Sequence, residues 1–363
     1  MSDPVESLPR VLVLMGGPDA EREISIRSGS RVAAALRESG GFAVEERIID
    51  GLTAEDLAEI AADVIFPVLH GPWGEGGPLQ DVLEADGRPY VGSRPRASRI
   101  SMDKMASKLF VRAAGVRTPP AREVRMGQPI DLPLPFVIKP IEDGSSVGVR
   151  HCVTPDDVEK ARADLEGHHP RLMAESLITG REMTVGILER ETLPIIEIVP
   201  AVRFYDYEAK YERNDTQYIV DPELPPGAAD EMNHAARIAY ERIGCRDVAR
   251  VDFILNEEGA WFLEINAMPG MTDHSLVPKA AQHAGVPFPE LCARLAMRAL
   301  GRRNRMRQRS AAAVAVPTAD GGSEEPSPAG AAHAPEESFA PAAESAVESH
   351  LPETGQGGEE TPV

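Results

Sequence analysis

Apolar residues recur along this chain in short unbroken runs that alternate with longer segments of helical spacing. Val11 to Leu14 is one such run, ending in Gly16-Gly17, and the segment Ala20 to Glu38 then carries Ile24, Ile26, Val32 and Leu36. This predicts strand, tight turn and helix, the opening of a parallel α/β unit. Phe42 to Ile49, Ala54 to Ile60 and Asp63 to Leu69 continue as strand, helix and buried strand. A helix from about Ser101 to Ala114 stops at Gly115, and Thr118-Pro119-Pro120 reads as a linker. Phe136 to Lys139 is a β-rich run entering the loop Glu142 to Gly148. Thr154 is expected to cap a helix running to about Leu165, with Asp157 completing the capping box. Strands near Arg171 to Ser176 and Met183 to Leu188 are expected to complete a small α+β middle domain.

The remaining pattern is a strand at Ile195 to Pro200, a polar loop from Phe204 to Leu224 and a helix from Ala228 to Ile243. Strands Val248 to Leu255 and Ala260 to Ile265 follow, joined by the turn-forming Asn256 to Gly259, and a last helix spans Phe288 to Leu300. The expected architecture mixes α/β and α+β: a Rossmann-like N-terminal domain over 1–98, a central subdomain over 99–186 and a C-terminal subdomain over 187–303. Beyond about Arg302 the chain is rich in Ala, Pro, Glu, Gly and Ser, and 304–363 is expected to be a disordered acidic tail.

Charge changes the picture less than its total suggests. The net charge is −20, but residues 311–363 hold ten Asp or Glu and no Lys or Arg, so the rest carries −20 − (−10) = −10. That balance argues against a nucleic-acid surface, which needs clustered Lys and Arg. Three widely spaced cysteines suggest neither a disulfide framework nor a cysteine zinc site. With no secretory pattern at the N-terminus and no run of 18 apolar residues, the expectation is a cytoplasmic protein without a membrane partner.

The candidate chemistry concentrates on the last hairpin. Glu264 and Asn266 are two apart on one strand, so they share a face, and the turn brings Asp252 to within about one residue of Glu264. Hard oxygen donors from few side chains suit Mg²⁺, which keeps room for waters and phosphates. Arg250 shares that face, and four polar groups on an apolar hairpin call for a polar ligand. Lys139 ends its strand just before the Gly144-Ser145-Ser146 loop, whose N–H groups and hydroxyls suit phosphoryl oxygens. The loop lacks the spacing of a P-loop. The aromatic stretch Phe204 to Tyr211 reads either as a loop that closes over a water-sensitive intermediate or as a surface loop packing its own rings.

Several longer stretches carry a resemblance. Gly16 to Ser25 reads GG-x-x-AEREIS, His70 to Glu75 reads HG-x-x-GE, Ser101 to Lys104 reads SMDK, and Ile138 to Gly148 reads IKP-x-x-DGSSVG. TGREMTVG at Thr179 to Gly186, FYDYEAKY at Phe204 to Tyr211 and LEINAMPGMTDHSLVP at Leu263 to Pro278 follow in order. Over about residues 10–300 the chain resembles the ATP-grasp superfamily and, within it, the D-alanine:D-alanine ligases. The resemblance implies a three-domain ATP-grasp fold, a homodimer, and ATP used with two Mg²⁺ ions, for which Mn²⁺ can substitute. It places Lys104, Lys139 and Lys210 at the phosphates, Glu175 and Ile178 at adenine and Glu182 at the ribose. Asp252, Glu264 and Asn266 are the implied metal ligands. A first D-alanine is implied at Glu21, His70, Arg250 and Gly270, and a second at Ser275 and Leu276. Glu21, Ser145 and Tyr211 are the implied positioning set, with Arg250 and the Gly270 amide stabilising the oxyanion.

Three positions depart from the family pattern. Ser176 replaces a usual lysine at adenine, Gly76 replaces an Asp, and Pro18-Asp19 replace a polar-Ser pair, with Asp19 expected to cap the following helix. Read alone, His70 is a satisfied histidine at a strand end. The competing functions are an ATP-grasp ligase with D-Ser or D-lactate as acceptor, and a noncatalytic nucleotide-binding scaffold.

Overall fold

The computed structural model describes residues 7–144, 147–200, 216–272 and 274–314, with side chains through Arg302. The N-terminal part begins with β1 (Arg10–Gly16), α1 (Arg22–Glu38), β2 (Ala43–Ile49), α2 (Ala54–Ala58) and β3 (Val64–Pro67). The three strands form a parallel sheet in the order β2-β1-β3. Val11 to Met15 are all buried, as a run covered on both faces must be. Because β2 and β3 flank β1 on opposite sides, the loop leaving the carboxyl end of β1 opens into a crevice at the switch point. That loop carries Asp19 and Glu21. Helix α1 lies so close to β1 that a Cβ at Gly29 would stand 2.6 Å from the Met15 Cβ, so a side chain there would push the helix off the sheet.

Four helices follow: α3 (Gly71–Gly74), α4 (Pro78–Asp86), α5 (Pro95–Met102) and α6 (Lys104–Ala113). The single helix expected from Ser101 to Ala114 is instead broken at Asp103, whose extended backbone ends α5 and whose carboxylate caps α6 by accepting from Ala106 N at 2.8 Å. A short Asp side chain competes for backbone N–H groups and so marks a helix start. The break turns Lys104 and Lys108 onto the buried face of α6.

A four-stranded antiparallel sheet contains β4 (Ala121–Val124), β5 (Phe136–Pro140), β6 (Arg150–Cys152) and β7 (Leu172–Ser176), ordered β4-β7-β5-β6. Helix α7 (Pro155–Leu165) packs on it with the expected Thr154–Asp157 capping box. The larger antiparallel sheet contains β8 (Arg181–Leu188), β9 (Glu191–Thr192), β10 (Ile196–Val199), β11 (Gln217–Val220), β12 (Val248–Asn256) and β13 (Gly259–Asn266). Its order is β11-β10-β8-β12-β13, with β9 on β8.

Two expectations are corrected here. The strand at Met183 to Leu188 does not complete the middle layer: all of β8 pairs with β12, and it also pairs with β10 in the large sheet. Its inward residues Met183, Val185 and Ile187 pack with α8 (Ala228–Ile243) and β12, which offer the apolar area the small sheet lacks. Residues 304–314 do not begin an unstructured tail. After α9 (Leu276–His283), the final helix α10 runs over Phe288–Val314. The Arg, Met, Gln and Ala of that stretch are strong helix formers, and propensity outweighs their lack of core-forming side chains. The rest of the tail lies outside the described residues.

Asp247 joins the N-terminal segment to the last helix. Fully buried, it accepts from Gly92 N at 2.9 Å and from the Arg302 guanidinium at 2.6 and 2.8 Å, while Arg302 also donates to the Tyr90 carbonyl. Asp247→Ala would leave a buried guanidinium and a backbone donor without their acceptor. We expect a loss of roughly 3–5 kcal/mol in denaturant unfolding. A loss under about 1 kcal/mol would show that the network does not hold these segments together.

Candidate active site

The β12–β13 hairpin builds the polar face through one irregularity. From the turn, Asn256 pairs with Gly259 and Phe253 with Phe262, but Asp252 pairs with Glu264, so Leu263 is an extra residue in the ladder. Without the bulge Glu264 would stand opposite Val251 and face the core. With it, Asp252 lies opposite Glu264 and Arg250 opposite Asn266, while Val251 and Ile265 are buried behind them.

Arg250 and Asp252 form a two-pronged pair on this face. Nε of Arg250 donates to Oδ1 at 2.9 Å and Nη2 to Oδ2 at 2.8 Å, in the planar geometry that favours arginine over lysine. Thr184, opposite Asp252 on β8, donates its hydroxyl to the same Oδ1 at 2.6 Å. Asn266 is oriented by Met268 N, which donates to its Oδ1 at 2.9 Å.

Lys104, buried at the start of α6, links the hairpin to the glycine-serine loop. Its Nζ lies 3.6 Å from Glu264 Oε2 and donates to the carbonyls of Ile141 and Asp143. The loop is held from its outer side as well, by His169 against Asp143 at 2.6 Å and by Arg171 against Glu142 at 2.9 Å.

Lys139 lies at a second charged cluster. Glu175 on β7 takes Lys139 at 2.7 Å on one oxygen and Lys108 at 2.5 Å on the other. Burial pushes the Lys108 ammonium down to about 8, with Glu175 opposing that shift and Lys139 adding to it. Burial raises the Glu175 carboxyl, but the two ammoniums outweigh it and hold the group below its ordinary value. Ile178 lies in the connection that leaves the small sheet for the large one, and Glu182 is half-buried near the start of β8.

A cavity of about 90 Å³ opens beside the hairpin, lined by Glu21, His70, Glu75, Gly144, Arg250, Glu264, Asn266, Gly270, Ser275 and Leu276, with Tyr218, Thr272 and His274 also contributing. Glu21 enters from the switch-point loop of β1, and a Cβ placed on Gly144 would sit 3.6 Å from its Oε2. At the far end Ser275 is the N-cap of α9 and Leu276 its first residue, so free N–H groups of that helix face the cavity. Gly270 allows a close approach: a Cβ there would stand 2.9 Å from the Ser275 hydroxyl.

Asp19 does not cap α1, as its position in the chain suggests. Glu21 occupies that cap without a side-chain bond, and the Asp19 carboxylate instead accepts from Trp73 N at 2.9 Å and Gly74 N at 3.3 Å in α3. Burial raises the Asp19 carboxyl, against the lowering effect of those two N–H groups. His70 is buried at the N-cap of α3, and Glu75 accepts from Gly71 N at 3.2 Å. Both line the cavity, where the sequence alone gave His70 only a packing role.

The structure thus gathers Glu21, His70, Arg250, Glu264, Asn266, Gly270, Ser275 and Leu276 around one cavity, with Asp252 and Lys104 bonded to its walls. Lys139 and Glu175 form their own cluster with Lys108. Ser145, Lys210 and Tyr211 lie outside the described residues. Lys108, Thr184 and Tyr218 were not singled out from the sequence. Lys108 had a signal, since it is one helical turn from Lys104 on a face shared with Val111. Thr184 had none until the register placed it opposite Asp252.

Comparison with known proteins adds to this geometry. Residues 116–297 match the family described as D-ala D-ala ligase C-terminus. The D-alanine--D-alanine ligase of Dechloromonas aromatica (strain RCB) is 42% identical over 301 residues, 80% of this chain and 98% of that protein. The chain belongs to the D-alanine:D-alanine ligase family. The crystal structure of the family member from Bacillus anthracis, complexed with ATP, has a TM-score of 0.73 at 32% identity, covering 83% of this chain and all of that one. The fold alone does not decide the acceptor within such ligases: a D-Ala:D-Ser ligase from Enterococcus faecalis shares it with a TM-score of 0.68 at 24% identity. Among the described residues no helix is long and apolar enough to cross a membrane.

Proposed function

We propose that this chain joins two D-alanine molecules into D-alanyl-D-alanine, a peptidoglycan precursor, at the expense of ATP. The observation that carries the reading is the polar hairpin face beside a cavity of amino-acid size, in a chain of this family. The domain reading that goes with it is an N-terminal domain over 1–98 and an ATP-grasp pair over 99–303, with β8 assigned to the second member of the pair. Family membership supports a cytoplasmic homodimer.

ATP is expected between the small and large sheets, its phosphates at Lys104 and Lys139 and its adenosine at Glu175, Ile178 and Glu182. Lys210 is expected at the γ-phosphate. The donor set fits a divalent cation of the Mg²⁺ type. Among the described residues no three His, Cys, Asp or Glu converge on one point, and Asp252, Glu264 and Asn266 offer two carboxylates and an amide oxygen. A set this sparse leaves positions for phosphate and water oxygens, as Mg²⁺ prefers. Bound there, two Mg²⁺ ions, or Mn²⁺ in their place, would offset charge on the transferred phosphoryl group.

The first D-alanine places its ammonium at Glu21 and His70 and its carboxylate at Arg250. A carboxylate oxygen bonds to the γ-phosphorus, the bond to ADP breaks, and D-alanyl phosphate forms. The second D-alanine is held by its carboxylate at Ser275 and Leu276, where the helix N-terminus favours an anion. Its amine attacks the acyl carbon, Arg250 and the Gly270 N–H hold the oxyanion, and phosphate leaves as the amine gives up its proton. Glu21, Ser145 and Tyr211 complete the positioning set, and Tyr211 favours the dipeptide over a depsipeptide.

The test is ADP and phosphate release with Mg²⁺-ATP and a panel of D-alanine, D-serine and D-lactate, each product weighed by mass spectrometry. D-Alanine-dependent release with the dipeptide mass is expected. ATP turnover that ignores D-alanine would sink the proposal.

A further inference from the structure

Lys108 has no place in the chemistry above, although it is the most deeply set ammonium near the nucleotide. Its side chain is 6% exposed, that of Glu175 is 4% and that of Lys139 is 11%. From below, Lys108 is fixed by the Thr118 hydroxyl at 3.1 Å and the Phe262 carbonyl at 3.3 Å, and Thr118 donates to that same carbonyl. The Phe262 ring lies 5.8 Å from its Nζ. Lys139 has a different setting, at the end of β5 where the chain enters the loop beginning at Glu142. Two ammoniums therefore share one carboxylate. One is locked in the interior and the other stands at the mouth.

We infer that Lys108 is a positioning residue for nucleotide binding: by holding one oxygen of Glu175, it keeps Lys139 from being fully neutralised and leaves its charge available to polyphosphate. The inference rests on the placement of the phosphates at Lys139. Without the inner ammonium, Glu175 and Lys139 close into a neutral pair, and an incoming phosphate must compete with a buried carboxylate for the only remaining cation of the cluster. The effect is specific to charge on the ligand. Adenosine, which has no phosphate, is indifferent to it.

The experiment measures affinity of the full chain for Mg²⁺-ADP by calorimetry and for adenosine by competition, in wild type, Lys108→Met, Glu175→Gln and the double variant. Lys108→Met is expected to weaken ADP about 10- to 100-fold, the range for a hydrogen bond to a charged group, while adenosine stays within about twofold. Lys108→Met/Glu175→Gln is expected to recover most of the ADP affinity, because the neutralising carboxylate is gone with the ammonium. Equal losses for ADP and adenosine, or no recovery in the double variant, would overturn the inference in favour of a packing role. Should Lys108→Met fail to fold, Glu175→Gln alone decides: the ADP-to-adenosine affinity ratio rises if the inference holds, and an unchanged or lower ratio overturns it. A wild-type chain that binds ADP no better than adenosine overturns the phosphate placement and this inference with it. A wild-type preference for ADP that no variant moves overturns this inference alone.

Discussion

Arg250→Met lowers kcat by about 10²–10³-fold, the loss that follows removal of one preorganised donor to a developing oxyanion. The guanidinium is 9% exposed and fixed by both Asp252 oxygens, so it can meet a new charge without reorganising. Arg250→Lys recovers little, because a single ammonium cannot hold both Asp252 oxygens in the plane and also face the cavity. The substitution also leaves Asp252 with Thr184 as its remaining printed donor, so the melting temperature falls as well. Asp252 is 18% exposed, and hydration limits that second effect. Single-turnover phosphate release separates the two, since a folded but inactive variant keeps its nucleotide affinity. Activity within about tenfold of wild type would remove Arg250 from the oxyanion role.

Glu264→Gln is expected to raise the Mg²⁺ concentration for half-maximal activity by about 10- to 100-fold and to lower kcat at saturation. The change is nearly isosteric, and Glu264 is 32% exposed with Lys104 at 3.6 Å, so the fold has little reason to move. What disappears is the negative charge. One carboxylate, one amide and one neutral carboxamide then face the metal, and Lys104 loses its counter-charge on the hairpin. Titration of initial rates with Mg²⁺ at fixed ATP reads the effect directly. An unchanged Mg²⁺ dependence would remove Glu264 from the metal site, whatever happened to kcat.

Both predictions depend on a feature the alternation of residues nearly reveals. In β13, Ala260, Phe262 and Ile265 are buried, a spacing of two and then three. A regular strand cannot put both Phe262 and Ile265 on the core face, and the slip at Leu263 is where the bulge occurs. Read closely, that slip signals which face Glu264 takes. The helix boundary at Asp103 was legible in the same way, as an N-cap residue within an apolar-periodic segment. Other features left no local trace. The membership of β8 in the large sheet depends on which of two layers offers it more apolar area. Asp19 caps a helix more than fifty residues away, a partner that spacing along the chain does not suggest.

Sequence by itself determined the local periods, the loop and hairpin chemistry and, through the order of its motifs, the family. Those properties depend on neighbours a few residues apart, where side-chain alternation and capping act. Only the tertiary structure decided that Lys104 bridges the glycine-serine loop and the metal face, that Glu175 is shared between two lysines, and that Glu21 and Ser275 stand around one small cavity. Each of these joins elements from different sheets and helices. Their positions follow from how the apolar faces pack, and packing is a property of the whole chain.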